Sequence, residues 1–188
     1  MNSRKLALKI TKMCIVCTGE NISNMTCLNL SCCEKITSLP DPLPEGLESL
    51  DCTGCTGLTH LPDNLPKGLK SLLCYGCNLA RLPEHLPKGL KRLDCGYCKG
   101  LTSLPEHLPE GLERLDCKGC TGLTHLPDPL PAGLESLDCT NCTGLTRLPE
   151  RLPKGLMELE CQERLLLLSN DPKVLEHFKR DTTRKIFF

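Results

Sequence analysis

The residues best suited to chemistry are the cysteines, which number 16 among 188 residues. Ten of them form five Cys-x-x-Cys pairs that recur every 21 or 22 residues. The pairs are Cys52 with Cys55, Cys74 with Cys77, Cys95 with Cys98, Cys117 with Cys120, and Cys139 with Cys142. Two successive pairs have the spacing of a zinc ribbon, in which four thiolates bind one metal ion. Paired thiols also support redox chemistry.

A structural role for the cysteines competes with both kinds of chemistry. Each pair occupies repeat positions that call for a small buried side chain, and a reduced cysteine behaves as a small hydrophobe. We therefore interpret the cysteines as a core ladder and predict no metal and no cofactor. A zinc-binding or redox-responsive ladder is the alternative, since equivalent cysteines would have Cα atoms about 4.8 Å apart. Cys14 and Cys17 lie outside the ladder and are the first candidates for a different role.

A longer repeat contains the cysteine pairs. The pattern Pro-x-Gly-Leu occurs six times, with proline at 44, 66, 87, 109, 131 and 153. Each unit follows the leucine-rich-repeat pattern L-x-x-L-x-L-x-x-N/C-x-L, with Cys52 in the third leucine position and Cys55 in the Asn/Cys position of one unit. A degenerate copy precedes the six at residues 28–40.

The repeat pattern predicts the fold class. Leu50 and Cys52 alternate with polar residues, so each unit has a short strand with one buried face. One unit cannot bury its leucines alone, but stacked units build a continuous core. The paired prolines of each Leu-Pro-x-x-Leu-Pro segment exclude a long helix there. We predict an α/β repeat solenoid, a curved leucine-rich-repeat horseshoe with short parallel β-strands on the concave face and an extended or irregular convex side.

Terminal segments complete the predicted organisation. The boundaries are an N-terminal cap or leader at 1–27, repeats at 28–164 (one degenerate plus six units of 21–22 residues), and a C-terminal cap at 165–188. Pro172 suits the first position of a helix, and Val174 begins an apolar face at helical spacing. This pattern predicts a capping helix near 171–184.

Composition excludes several function classes. Lysine plus arginine equals aspartate plus glutamate at 23 each, which argues against a nucleic-acid binder. No apolar run approaches the roughly 20 residues that span a membrane. Lys9 and Lys12 interrupt the region where a cleavable signal peptide needs continuous apolar residues. These features predict a cytoplasmic protein whose cysteines are thiols.

The paired-proline repeat resembles that of a known group of proteins. The consensus Leu-Pro-x-x-Leu-Pro-x-Gly-Leu-x-x-Leu-x-[Val/Cys] is similar to the repeat of bacterial effectors of the IpaH and YopM type, over residues 28–164. Similar arrays also occur in repeat proteins of amoeba-associated bacteria and giant viruses. The resemblance implies a solenoid that binds host or partner proteins.

Two features depart from the effector pattern. The ligases of the IpaH type use a Cys-x-Asp motif in a helical catalytic domain, whereas the last repeat here ends in Cys161-Gln162-Glu163. Ligase activity is therefore not expected from the resemblance. The 27 residues before the repeats are short for the helical hairpin that precedes the YopM-type repeats.

Strand positions between the buried leucines form the candidate partner-binding site. We predict partner contacts by Leu73, Tyr75, Arg92, Asp94, Arg114, Asp116, Lys118 and Asp138. Tyrosine and arginine are enriched in binding hot spots. A solvated charged face that only keeps the protein soluble is the simpler interpretation of the same residues.

The sequence therefore predicts a non-enzymatic module that binds a partner protein through the concave face. No catalytic residues are predicted, because no Ser/His/Asp arrangement, phosphate loop or HExxH motif is present. We expect a monomer that binds protein and neither nucleic acid nor membrane. The alternative is a translocated effector or substrate-recognition adaptor that acts on host proteins, for example in ubiquitination. Such an effector would be secreted into a host cell without a cleavable signal peptide.

Overall fold

Short strands form where one leucine lies between two outward residues, once in each repeat. The computed structural model describes residues 15–19, 21–172, 174 and 185–187. The repeat strands are β1 Cys27–Asn29, β2 Ser49–Asp51, β3 Ser71–Leu73, β4 Arg92–Asp94, β5 Arg114–Asp116, β6 Ser136–Asp138 and β7 Glu158–Glu160. The middle residue of each strand is a buried leucine, and its neighbours are more exposed.

The strands form one sheet in the order of the sequence. β1 to β7 pair in parallel, each with the strand of the next repeat. The register places equivalent residues side by side, so that Leu50 pairs with Leu72 and Leu72 with Leu93. The 21-residue repeat keeps this register because its missing residue falls in the turn after Cys77.

Leucine and cysteine ladders fill the interior. In the second repeat, Leu47, Leu50, Leu58, Cys52 and Cys55 are all completely buried, and the same positions are buried in the next four repeats. Burial of one such leucine stabilises the fold by about 1.5–3 kcal/mol. Each repeat buries these residues only against its neighbours, so the stacking itself creates the core.

Return segments connect the strands without helix. From β1 to β7 the chain between strands consists of turns, bends and extended backbone. Pro62 and Pro66 show the reason in one repeat, because proline removes a backbone donor and clashes within a helix. The predicted leucine-rich-repeat solenoid is confirmed.

Each end of the solenoid has additional structure. Helix α1, Ile15–Thr18, packs partly buried residues against the first repeat. Helix α2, Glu163–Leu167, follows β7, and strand β8, Lys185–Phe187, pairs antiparallel with β7. The sequence did not predict α2 or β8. The helix predicted at 171–184 lies outside the described residues except at positions 171, 172 and 174.

Arg164 explains how the last repeat ends. It occupies the position that holds the second cysteine in the preceding five repeats. Its guanidinium Nη2 donates to the carbonyl oxygens of Thr143 at 3.1 Å and Leu145 at 2.6 Å. The first turn of α2 thereby satisfies backbone acceptors of the preceding repeat. In the described part of the chain, no helix has the length and apolar character needed to cross a membrane.

Candidate partner-binding face and cysteine ladder

The outward residues of the strands form a continuous surface, here called the strand face. It comprises the first and third residues of each strand together with the residue two positions beyond the third. The predicted site residues on this face are Leu73, Tyr75, Arg92, Asp94, Arg114, Asp116, Lys118 and Asp138. They extend over four neighbouring strands, because β3 to β6 are consecutive in the sheet.

Aspartates in the centre of the strand face have a structural role in closing turns, which the sequence did not predict. Asp94 accepts a hydrogen bond from the backbone N–H of Gly96 at 3.2 Å. Asp116 accepts one from the N–H of Lys118 at 3.1 Å, and Asp138 one from the N–H of Thr140 at 3.0 Å. These contacts close the turn that follows each strand. Asp94, Asp116 and Asp138 are neighbours in register and belong to what we call the acidic column. This column is therefore required in part for the local fold.

Lys118 connects several of the predicted site residues. Its ammonium Nζ lies 3.1 Å from Asp116, 3.9 Å from Asp138, and 5.6 Å from the centre of the Tyr75 ring. The hydrogen bond to Asp116 raises the pKa of Lys118, so it remains charged. The last distance falls within the range of a cation–π interaction.

Tyr97 lies in the turn at the border of the strand face, next to Gly96, and was not among the predicted site residues. Its ring centre lies 5.1 Å from that of Tyr75, and 39% of the residue is exposed. Its φ of 55° is left-handed, a conformation that disfavours residues with a Cβ atom. The equivalent positive-φ positions are Cys32, Gly54, Gly76, Gly119 and Asn141. A tyrosine in this column was the signal available in the sequence.

Two glycines make room for the tyrosine rings. A Cβ atom on Gly96 would lie 3.0 Å from the Tyr75 ring. One on Gly119 would lie 3.0 Å from three atoms of the Tyr97 ring. The aromatic pair therefore depends on both glycines, and we call Tyr75, Tyr97 and Lys118 together the aromatic cluster.

Arg92 and Arg114 lie side by side next to the aromatic cluster. They are directly paired in register between β4 and β5, and both are exposed. A cavity of about 240 Å³ opens between these two arginines and the neighbouring aspartates. Its lining includes Arg92, Arg114, Asp116, Lys118, Ser136, Asp138 and Glu160.

Asp94 lies in an electrostatic environment that disfavours its charged form. Burial and the negative charge of Asp116 raise its pKa. Arg92 compensates weakly, because the closest nitrogen to oxygen distance is 4.0 Å. The centre of the strand face thus retains a carboxylate that is only partly neutralised.

The predicted site residues differ in how closely they associate. Tyr75, Asp116, Lys118 and Asp138 are joined through the ammonium of Lys118, and the two arginines line the cavity beside them. Leu73, which was predicted as a partner contact, is half-buried. It interrupts the acidic column between Asp51 and Asp94.

Thiol hydrogen bonds link five of the repeats to the repeat that precedes each. The second cysteine of each pair donates its Sγ–H to a backbone carbonyl of the preceding repeat at 3.0–3.2 Å. The donor and acceptor pairs are Cys55 to Leu30, Cys77 to Cys52, Cys98 to Cys74, Cys120 to Cys95, and Cys142 to Cys117. The interpretation of the cysteines as buried core residues is confirmed for these pairs.

The first cysteines of the ladder pairs are poor metal ligands in this environment, whereas hydrogen bonds to Cys52 and Cys117 lower the pKa of Cys77 and of Cys142. A hydrogen bond to the thiol of Cys98 and complete burial raise the pKa of Cys74 well above its usual value. Cys95 and Cys117 have the same cause and direction, with Cys120 and Cys142 as the partner thiols. Zinc requires deprotonated thiols. In the described ranges, no group of three or more His, Cys, Asp or Glu residues is arranged to hold a metal ion.

Solved structures with the same kind of repeat are similar to this chain. No protein-family model and no curated protein sequence matches the chain. The leucine-rich-repeat domain of a Shigella effector is 32% identical with a TM-score of 0.52, over 63% of this chain and 50% of that chain. YopM, a leucine-rich effector protein from Yersinia pestis, is 30% identical with a TM-score of 0.50, over 72% of this chain and 42% of that one.

These similarities extend over only part of each protein. The chain spans about half of the Shigella domain and less than half of YopM. Within that overlap, the parallel strands and the repeat sequence agree with the resemblance drawn from the paired prolines. The chain is a leucine-rich-repeat solenoid similar to the repeat domains of bacterial effectors.

Proposed function

We propose that the chain is a non-enzymatic protein-binding module whose partner contacts the concave face of the solenoid, at the aromatic cluster and the adjacent arginines. The observation that carries the proposal is Tyr97, a partly exposed aromatic residue with φ of 55°. A left-handed conformation of this kind costs roughly 1–2 kcal/mol. Because strained residues are concentrated at functional sites, Tyr97 is the centre of the proposed interface.

The aromatic cluster has the composition of a binding hot spot. Tyrosine and arginine supply a large part of the binding energy in many protein interfaces. The rings of Tyr75 and Tyr97 contact each other with their planes tilted by 51°, and Lys118 packs over Tyr75. Such mutual support lowers the entropic cost of ordering the side chains when a partner binds.

The charge pattern defines the chemistry of the partner. Arg92 and Arg114 present neighbouring positive charges, and Asp94, Asp116 and Asp138 form the next column. The complementary partner surface therefore has an acidic group opposite the arginines and an apolar or aromatic group opposite the tyrosines. Complementary charges of this kind mainly increase specificity and the rate of association.

The effector similarity favours a second, narrower proposal. Both related structures are described as effectors, and both contain the same type of repeat. We propose that the chain acts as an effector or as a substrate-recognition adaptor on host proteins, through the same concave face. No catalytic step is assigned to the described residues, and the proposed compartment is a reducing cytosol. A translocation assay with a tagged chain tests this narrower proposal.

A capture experiment with matched variants tests the main proposal. Wild-type protein is compared with the triple variant Tyr75→Ala, Arg92→Glu and Arg114→Glu as bait in native lysate. The control bait is the triple variant His85→Ala, Lys67→Glu and Lys88→Glu. The control residues are exposed on the return segments, where the last two line a separate cavity of about 740 Å³ with His85.

The two triple variants have the same net charge, which removes non-specific electrostatic effects. We expect wild type and the control to capture the same protein and the strand-face variant to lose it. Circular dichroism establishes that all three baits are folded. The proposal fails if the strand-face variant retains the partner, or if only the control variant loses it.

A further inference from the structure

One cysteine pair lies outside the buried ladder. The Sγ atom of Cys17 in α1 is 3.4 Å from the Sγ atom of Cys33 in the first repeat. Cys33 occupies the turn position equivalent to Cys55, and Cys17 contacts it from outside the repeat. The two residues are 16 positions apart. The pair therefore joins the N-terminal helix to the first turn of the solenoid.

We propose that Cys17 and Cys33 are a site of reversible oxidation, at which a disulfide fastens α1 to the first repeat. A disulfide has a sulfur to sulfur distance of about 2.05 Å, so the two sulfurs must approach by about 1.4 Å. Rotation about the Cα–Cβ bond of Cys17 can provide part of this movement. A helix of four residues is also weakly constrained, so its backbone can shift.

Exposure distinguishes this pair from the thiols of the ladder. Cys17 is half-buried, so that solvent reaches one member of the pair, whereas Cys33 is 3% exposed. Cys52, Cys74 and Cys95 are completely buried, as are their counterparts in later repeats. A dissolved oxidant therefore reaches Cys17 before it reaches the ladder.

The chemistry requires a two-electron oxidant of the hydroperoxide class. The thiolate of Cys17 attacks one peroxide oxygen, forming a sulfenic acid and releasing hydroxide, or alkoxide from an organic peroxide. The thiol of Cys33 then attacks the Cys17 sulfur, the S–O bond breaks, and water leaves with the proton of Cys33. The two sulfurs together lose two electrons and the peroxide gains them. A dithiol reductant restores both thiols by exchange.

Oxidation would fix one wall of a surface cavity. Val16 and Gly19 line a cavity of about 660 Å³ opposite Pro42 and Leu43 of the first return segment. The short helix that carries Val16 is otherwise held by partly buried apolar contacts. A covalent link at Cys17 therefore restricts the movement of this wall without reaching the aromatic cluster.

Peptide mapping after peroxide treatment tests the proposal. The background variant Cys14→Ser, Cys27→Ser and Cys32→Asn leaves Cys17 and Cys33 as the only cysteines between Met13 and Glu34. Cys14 lies outside the described residues, and Cys27 and Cys32 are exposed. The protein is treated with hydrogen peroxide while folded. It is then unfolded in denaturant, alkylated so that the buried thiols also react, and digested with trypsin and Glu-C.

Cleavage after Lys12, Glu20 and Glu34 separates the two cysteines onto different peptides. We expect these peptides to be joined by a disulfide while all ladder cysteines remain alkylated. The link is lost with dithiothreitol and is absent when Cys17→Ser is added. Slower hydrogen exchange at the amide of Gly19 is expected after oxidation, since this amide donates to Val16 within the helical turn.

Two results overturn the proposal. One is the absence of the link in folded protein when other cysteines have lost their alkylation, which shows that the peroxide was active. The other is a mixture of links that involves the ladder to the same extent as Cys17 and Cys33. If the background variant does not fold, the same double digest of wild-type protein reads the link directly by fragmentation of the joined peptides.

Discussion

Cys77 donates its thiol hydrogen to the carbonyl oxygen of Cys52 over 3.0 Å, and this contact joins two neighbouring repeats. The same oxygen accepts the backbone N–H of Cys55 at 3.1 Å, so both of its lone pairs are used. Four further repeat boundaries have the same thiol contact. The regular Cys-x-x-Cys spacing is therefore explained by hydrogen bonding between repeats and requires no metal.

Replacement of one turn cysteine tests this role. Cys120→Ala removes the thiol that donates to Cys95 at 3.1 Å and leaves a buried carbonyl with one partner. We expect a loss of about 1–2 kcal/mol in the free energy of unfolding. Cys120→Asn retains a donor in a position where the repeat pattern accepts asparagine, and a smaller loss is expected. Urea unfolding measures both, and equal values for the two variants would contradict the hydrogen-bond explanation.

Two glycines with different surroundings test the packing of the return segments. A Cβ atom on Gly144 would lie 2.8 Å from the carbonyl oxygens of Thr121 and Leu123, whereas none of the surrounding atoms lies within 4 Å of one on Gly46. Gly144→Ala is expected to destabilise the fold by about 1–3 kcal/mol. Gly46→Ala is expected to be neutral or stabilising by up to about 1 kcal/mol. Thermal unfolding of both variants measures the difference, and the reverse order would refute this description of the packing.

Tyr97 provides a test that separates stability from binding. Tyr97→Asn relieves a left-handed strain of roughly 1–2 kcal/mol but loses a ring contact with Tyr75 worth about 0.5–1.5 kcal/mol. The free energy of unfolding is therefore expected to change by less than about 1 kcal/mol. Partner affinity is expected to fall about tenfold or more, because a hot-spot ring is removed.

Tyr97→Phe is the matched control for that variant. It keeps the ring and the strain, so its partner affinity should stay close to that of the wild type. Calorimetric titration of the captured partner provides both affinities. Retention of full affinity by Tyr97→Asn would remove Tyr97 from the interface.

Asp94 predicts a dependence of stability on pH. Burial and the charge of Asp116 raise its folded-state pKa above the unfolded-state value. The folded protein therefore holds this proton more tightly, and the contribution of Asp94 to stability falls as the pH rises from the unfolded-state pKa through the folded-state pKa. Asp94→Asn retains an oxygen that can accept from Gly96 and should raise the melting temperature at pH 7. That gain in melting temperature should shrink as the pH falls below the unfolded-state pKa. A gain that grew on acidification would contradict a raised pKa of Asp94 in the folded state.

Much of the fold follows from the sequence because local and repeat-level signals agree. Leu50 and Cys52 have strand alternation, and Pro62 and Pro66 exclude helix between strands. Neighbouring repeats impose the same demands, so each unit confirms the register of the next. The strands from Cys27–Asn29 to Glu158–Glu160 consequently lie in the degenerate and six strong repeats.

Features that depend on particular neighbours were not predicted. The pairing of Lys185–Phe187 with β7 is antiparallel and has no repeat signal. The tilted ring contact between Tyr97 and Tyr75 depends on a backbone conformation in one turn and on the small size of Gly96 and Gly119. Asp116 was predicted as a partner contact, but its bond to the N–H of Lys118 also closes a turn.

Photo-crosslinking at Tyr97 is the most direct test of the proposed interface. A benzophenone amino acid replaces Tyr97 in one protein and Glu84, an exposed return-segment residue, in the control. We expect a crosslink to the captured partner from position 97 and none from position 84. Excess wild-type protein should compete away that crosslink, and the variant Tyr75→Ala, Arg92→Glu and Arg114→Glu should not. A crosslink from position 84 alone, with the partner bound to both proteins, would contradict binding through the strand face.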